Sequence, residues 1–165
     1  MTRLIAALLA LTLTAHATAE ERPSNAALTF VAAFSDAHLA NMLSRFGQRS
    51  PVLGSFAQVD AQLTAEALDA AIADAIAEHG AAWRENMATA WMPLLSEAEF
   101  ISLTNAGAQS PHLEKYLDLR DEAGAAMQAS SEALFSEILR DVIDSSVAAL
   151  TPADPDASQT ETGEN

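Results

Sequence analysis

The sequence predicts an all-α protein, a helical bundle of about four to five helices with an antiparallel helical hairpin at its centre. Alanine is abundant, whereas glycine and proline occur only six times each, so the composition favours helix outside a few breaks. Large apolar residues recur at helical spacing, and no useful length of alternating apolar and polar residues predicts a strand.

The hairpin is predicted for residues 63–110, which contain both tryptophans of the chain. Six apolar residues of its first helix fall on one face: Leu68, Ile72, Ile76, Trp83, Met87 and Trp91. Thr64 is predicted to cap this helix, and Pro93 prevents its continuation. Gly80 lies in its middle and indicates a close helix contact, a bend or a division of the helix.

The second helix of the hairpin has the best-defined start in the sequence. Ser96 is an N-cap residue, and Glu99, three residues later, completes a capping box. Leu95 and Phe100 flank this box at the positions of a hydrophobic staple. We therefore expect a short helix over residues 97–106 and a structural role for Ser96 and Glu99.

One further helix is predicted before the hairpin. Ser24 can cap a helix that runs to about Phe46. The following residues, 47–62, contain two glycines and a proline and are predicted to form a connection. A short helical turn within this connection is compatible with its sequence.

The last helical region is predicted from Pro111 to about Leu150, with Ser110 as its cap and the proline in the first turn, where it is tolerated. Gly124 interrupts the large apolar residues, which indicates a close helix approach or a kink between two shorter helices. Residues 151–165 hold two prolines, four acidic residues and no large apolar residue, which predicts a disordered acidic tail. A single helical-bundle domain is therefore assigned to residues 20–150.

Residues 1–19 have the pattern of a secretory signal peptide. Arg3 precedes an apolar run that is too short for a membrane span of roughly 20 residues. Ala17 and Ala19 form a small-x-small cleavage site. Cleavage at Ala19 or nearby leaves no stable membrane anchor, so the mature protein is predicted to be periplasmic or secreted. An uncleaved N-terminal anchor is the alternative.

The chain is strongly acidic, with a formal net charge of −15 at pH 7. Such a charge disfavours nucleic acid and anionic lipid as partners. It is compatible with a cationic partner or with metal ions, although solubility is the simpler interpretation. Because the sequence has no cysteine, helix packing must stabilise the exported protein without disulfides.

The histidines do not have the spacing of a zinc or di-iron site, so no metal and no cofactor are predicted. No pair among His38, His79 and His112 matches a local metal-binding motif. A copper site that joins His38 to methionine is chemically feasible in an exported protein. The methionines considered for it are Met42, Met87 and Met92. Methionine at helical core spacing is, however, more often a gap-filling core residue.

The candidate binding groove consists of Trp83, Met87 and Trp91, although two tryptophans on one stripe are more often plain core. Trp91 is the better candidate for an exposed position, because Pro93 ends its helix two residues later. Trp83 is expected to be the buried anchor. The sequence contains no nucleophile elbow, phosphate-binding loop or catalytic dyad motif, so no enzyme activity is predicted.

The leading functional hypothesis is an exported, non-catalytic helical binding or interaction module. Its partner would be an envelope protein or a small apolar ligand. One alternative is a metal carrier or hydrolase-type enzyme that uses His38, His79, His112 and nearby acids. Another is a structural envelope protein.

Part of the sequence resembles an exported bacterial family, domain of unknown function 2059. The resemblance covers residues 65–127 and rests on a W-x-x-x-M-A-x-x-W segment, the L-S-E-A-E-F helix start and a Q-S-P turn. The matching positions are Trp83, Trp91, Ser96, Glu99, Phe100, Leu103, Ser110 and Pro111. The chain departs from the family pattern at Gly107, Ala108 and Leu113. The resemblance implies an all-helical fold and export, and it implies no particular activity.

The signal peptide generates a first testable prediction. The mature protein should begin at Glu20, because the cleavage site ends at Ala19. Intact-mass measurement of material from the periplasmic fraction checks this start. A full-length mass recovered from the membrane fraction would contradict it.

Overall fold

The computed structural model describes residues 22–151, and this part of the chain is all-helical. It contains seven α-helices: α1 Asn25–Ala32, α2 Ser35–Gly47, α3 Pro51–Ala57, α4 Ala61–Trp91, α5 Glu97–Ala106, α6 Leu113–Asp118 and α7 Arg120–Leu150. A 3-10 turn at Gly107–Gln109 follows α5. The predicted signal peptide and residues 152–165 of the predicted tail lie outside the described residues.

The two longest helices, α4 and α7, pack along each other and form the centre of the structure. Asn86 on α4 donates a hydrogen bond to Ser131 on α7 at 3.1 Å. Closer to the N-terminus of α4, His79 Nε2 lies 4.0 Å from Asp141 Oδ2 on α7. Because residue numbers fall on α4 as they rise on α7, the two helices run antiparallel.

The shorter helices attach to this pair, and the hairpin predicted for residues 63–110 is not confirmed. Helices α1, α2 and α3 pack on α4, while α5 packs mainly on α1. The predicted number of four to five helices is also not confirmed, because two predicted helical regions are each divided and the predicted connection contains α3. The first turn of α3 contains Pro51, at a position where proline is tolerated.

The predicted first helix is broken at Phe34, where α1 and α2 meet at an angle of 50°. The reason lies in the contacts at the start of α2. Ser35 is buried and its hydroxyl donates to Asp36 at 3.0 Å. Arg84 on α4 donates to both carboxylate oxygens of Asp36, at 3.1 and 3.2 Å. These contacts hold α2 against α4, and the bend allows α1 to reach α5.

The start of α4 differs from the prediction because Asp60, not Thr64, is the capping residue. The Asp60 carboxylate accepts a hydrogen bond from the backbone N–H of Leu63 at 2.9 Å. Thr64 lies one turn inside the helix, is buried, and donates its hydroxyl to the Asp60 carbonyl at 2.7 Å. Both residue types are good caps, and the extended backbone of Asp60 makes it the cap.

The last helical region is divided near Leu119, not at Gly124. Helix α7 runs without interruption through Gly124. Ser110 does not begin a regular helix at Pro111. Its hydroxyl instead accepts from the backbone N–H of His112 at 3.2 Å, and α6 begins only after that residue.

No single helix between residues 22 and 151 has the length and apolarity needed to cross a membrane. The bent pair of α1 and α2 meets the same criterion by length and composition when the two are taken together.

The continuity of α4 at Gly80 generates a stability prediction. A Cβ atom at this buried glycine would lie 3.6 Å from Ile76 Cγ2 and 3.7 Å from Asp36 Oδ1, which are ordinary contact distances. We expect Gly80→Ala to stabilise the protein by about 1 kcal/mol, because glycine is a poor helix former. The melting temperature should rise by roughly 2–6 °C.

Gly107→Ala is the matched control for this experiment. Gly107 has a φ of 51°, a backbone conformation that alanine adopts only with strain. This variant should lower the melting temperature. A lower melting temperature for Gly80→Ala as well would show that α4 needs glycine for a closer packing than the structure has.

Candidate functional site

A groove of about 380 Å³ opens between α2, α4 and α7. It forms where the side of α2 faces the antiparallel pair, with α4 at the bottom. The lining residues are His38, Met42, Phe46, Trp83, Gly124, Met127, Gln128, Ser131, Glu132, Phe135 and Ser136. Seven of these residues lie on α7, spaced three or four positions apart along one face, as expected for a helix that lines a surface.

The groove is apolar at its base and polar at its rim. Its floor consists of three buried residues, Trp83, Met127 and Ser131. Its walls include the half-buried side chains of Met42 and Phe135. The exposed polar residues are His38, Gln128, Glu132 and Ser136. This layering is typical of a small-molecule site, where apolar surface supplies affinity and a few polar groups supply orientation.

Trp83 is the central residue of the floor and is only 2% exposed. Its ring stacks on His38 with a centroid separation of 6.1 Å and contacts Phe135 at 6.0 Å. Within residues 22–151 the buried indole Nε1 has no hydrogen-bond partner. A buried N–H without an acceptor is rare and destabilising.

Ser131, the hydroxyl of the floor, is held by two other side chains. It donates to the sulfur of Met127 at 3.3 Å and accepts from the Asn86 amide at 3.1 Å. No hydrogen bond joins Ser131 to His38 within the described groove.

His38 stands at the mouth of the groove. Although its side chain is exposed in part, desolvation by the surrounding protein lowers the pKa of its imidazole below the ordinary value. At neutral pH the imidazole is therefore mainly uncharged. This is the form that accepts hydrogen bonds and coordinates metal ions.

Of the three residues predicted to form a groove, only Trp83 lines this one. Met87 and Trp91 are buried, each 5% exposed, and belong to the core. The expectation that Trp91 is exposed is corrected. Tyr116 stacks on the Trp91 ring at 4.9 Å, and Phe30 meets its edge at 6.3 Å. Phe30 lies on α1 and Tyr116 on α6. Together they cover the C-terminal end of α4, where Pro93 was expected to leave Trp91 exposed.

The three histidines have different surroundings. His79 lies beside Asp141 and Glu78, at 4.0 and 3.9 Å, while His38 lies in the groove. His112 Nδ1 lies 3.7 Å from Glu99. In residues 22–151 no group of three or more His, Cys, Asp or Glu side chains is arranged to hold a metal ion.

The sequence analysis missed the contribution of α7 to the groove. Met127 and Phe135 are apolar residues at helical spacing. Because buried core residues show the same spacing, this pattern alone does not indicate a groove. Gly124 leaves open space in the groove, with no atom within 4 Å of a Cβ added there.

The capping residues Ser96 and Glu99 lie away from the groove, at the start of α5. The Glu99 carboxylate accepts hydrogen bonds from the backbone N–H and the hydroxyl of Ser96, at 2.7 and 2.9 Å. Lys115 on α6 donates to both of its oxygens, at 2.9 and 3.0 Å. Glu99 therefore ties α5 to α6. The Ser96 and Lys115 hydrogen bonds lower the pKa of Glu99 to about 2.

In comparisons with protein-family models, with curated proteins and with solved structures, nothing matches this chain. The resemblance to domain of unknown function 2059 stays a prediction.

The hydrogen bonds of Glu99 generate a prediction about pH. A carboxylate with a lowered pKa stabilises the folded state above its unfolded pKa, and this contribution is lost as pH falls through the folded pKa. For Glu99 the loss should occur between about pH 4.5 and about pH 2. Chemical denaturation of Glu99→Gln should show a deficit in stability at pH 6 that shrinks as the pH falls through this interval.

Glu97→Gln is the matched control, because it removes an exposed carboxylate from the same first turn. The deficit in stability that shrinks as the pH falls should be seen for Glu99→Gln and not for Glu97→Gln. An equal, acid-sensitive deficit in both variants would indicate a general helix-dipole effect in place of the Ser96 and Lys115 bonds.

Proposed function

We propose that the protein is an exported, non-catalytic binding module whose groove between α2, α4 and α7 holds a small apolar ligand with a hydrogen-bond acceptor. The observation that carries the proposal is the apolar lining of the groove. Met42, Phe46 and Phe135 present apolar side chains there, and polar side chains such as His38 stand at the rim. Both properties favour a ligand that is apolar over most of its surface and polar at one point.

The size and lining of the groove support this ligand class. About 380 Å³ lies within the range of small-molecule sites, roughly 300–1,000 Å³. Met42, Met127 and Phe135 are adaptable or aromatic side chains, which suit an irregular apolar ligand. Glu132 is the one acidic residue among the lining residues, and no lysine or arginine lines the groove. An anionic ligand is therefore disfavoured.

Binding is favoured over hydrolysis because the hydroxyl of the floor is already engaged. Ser131 is bonded to Met127 and Asn86 and not to a base. His79 and His112, the other histidines of the enzyme hypothesis, pair with acidic residues elsewhere. Export to the periplasm or the medium is proposed from the signal-peptide pattern of residues 1–19.

An envelope protein is a second candidate occupant. Phe46 lines the groove and is 46% exposed, so an apolar side chain of a partner helix would find contact there. We further propose that the antiparallel α4–α7 pair takes the place of the predicted hairpin as the centre of the helical bundle.

The groove is tested with a neutral fluorescent apolar dye, Nile red, so that the acidity of the chain does not affect binding. The wild-type protein should bind the dye with increased emission. Gly124→Leu should weaken dye binding by about tenfold or more, because the leucine side chain would occupy open space of the groove that the dye needs. Fluorescence titration measures both affinities.

Ala125→Leu is the matched control, because Ala125 is exposed on the same helix and does not line the groove. It should bind the dye like the wild type. Equal binding by Gly124→Leu and Ala125→Leu, or no binding by the wild type, would reject the groove as the site. Dye displacement by a partner protein, without displacement by small apolar molecules, would favour the second occupant.

A further inference from the structure

We propose that the groove reversibly binds a soft monovalent metal cation, Cu(I), through His38, Met42 and Met127. The inference rests on the proposed function in one respect, since it requires the same groove to admit a ligand. It goes beyond that function because the ligand is a metal ion held by specific atoms and not by apolar area.

The first argument is the juxtaposition of the three side chains. His38 and Met42 stand four residues apart on α2, so their side chains project from the same face of the helix. Met127 lies on α7, and all three residues line the groove. The residues thus place one imidazole and two thioethers around a common space.

The second argument is the chemistry of this set. Thioethers are soft ligands, and soft ligands select Cu(I) over magnesium or calcium, which prefer oxygen. Imidazole is also a good copper ligand. In residues 22–151 no group of three or more His, Cys, Asp or Glu side chains is arranged to hold a metal ion, and a site of one histidine and two methionines uses a different, softer set of donor atoms.

The third argument is the positioning of the Met127 sulfur. Ser131 donates its hydroxyl to this sulfur at 3.3 Å, and Asn86 on α4 holds Ser131 at 3.1 Å. A methionine side chain is otherwise flexible. A thioether sulfur has two lone pairs, so the hydrogen bond from Ser131 leaves one for a metal. Ser131 and Asn86 are positioning residues of the kind that orient metal ligands from outside.

The fourth argument is electrostatic. The Trp83 ring stacks on the His38 ring at 6.1 Å and an angle of 23°, which fixes the orientation of the imidazole over the floor of the groove. Glu132 adds a negative charge at the rim, and the whole chain carries −15. These charges attract cations, and the thioethers provide the preference for a soft one.

This site differs from the copper site considered from the sequence. Met87 is buried in the core, and neither Met87 nor Met92 lines the groove. Met127, which is distant in sequence from His38, takes their place. The proposal also departs from the expectation that the protein binds no metal, and it assigns the cation the role of an exchangeable ligand.

The test is an anaerobic titration of the purified mature protein with Cu(I) in competition with bicinchoninate, whose coloured Cu(I) complex reports the metal that the protein has not bound. The wild type should withdraw a single equivalent. Met42→Leu, Met127→Leu and His38→Gln should each weaken binding by at least about tenfold, since even outer-shell partners of a metal contribute about 10- to 100-fold. Ag(I), a redox-inert analogue, should quench tryptophan fluorescence in the wild type.

Met92→Leu is the matched control, because it removes a half-buried thioether outside the groove. Its Cu(I) affinity should equal that of the wild type. The inference is overturned if the wild type withdraws no Cu(I), or if Met92→Leu weakens binding as much as Met42→Leu and Met127→Leu. Equal losses of that kind, or no loss in any of the methionine variants, would show that Cu(I) binds outside the groove.

The Nile red experiment separates this inference from the proposed function. Leucine conserves the volume and apolarity of methionine, so the methionine variants should remain folded, and dye binding is compared with Cu(I) binding in the wild-type protein. Dye binding without Cu(I) binding overturns the metal site alone. Cu(I) binding that needs Met42 and Met127, in the absence of dye binding, supports the metal site and rejects the apolar ligand. Circular dichroism of each variant shows that it is folded.

Discussion

The packing of α4 against α7 is the interaction on which the rest of the structure depends. Both helices are 31 residues long, and every one of the shorter helices α1, α2 and α3 contacts α4. Buried small residues, including Ala71 and Ala75 on α4 and Ala123 on α7, belong to the core that the helices share. An isolated helix gains little stability in water, so the buried apolar face between the two helices is what stabilises each of them.

The same packing also creates the groove. Because α2 is held to α4 at its first turn by the contact between Arg84 and Asp36, the side of α2 stands beside α7 and leaves a space over Trp83. Trp83 and Met127 therefore belong to the core and to the candidate site. Such sharing means that a substitution at Trp83 or Met127 affects the core as well as the groove.

The start of α5 is where local signals in the sequence predicted local structure well, whereas the caps predicted at Thr64 and Ser110 do not begin α4 and α6. The bounds of α5 agree with the prediction because its start depends on Ser96 and Glu99, three residues apart. The break at Phe34 and the burial of Trp91 depend on partners far away in the chain, such as Arg84 and Tyr116. The same distinction between local and long-range information applies to the candidate site. Trp83 was identified from its stripe, whereas the α7 side of the groove requires knowledge of which helix packs on which.

At Gly124 the size of the groove can change without a loss of stability of the fold. Gly124 lies within α7, where glycine contributes nothing to helix formation, and the space beside it is open. A change from glycine to alanine there would favour the helix while reducing the volume available to a ligand. The volume of the groove can thus change at this position without loss of helix stability. The floor residues Trp83, Met127 and Ser131 also belong to the buried interior, whereas a substitution at Gly124 changes the groove without disturbing that interior.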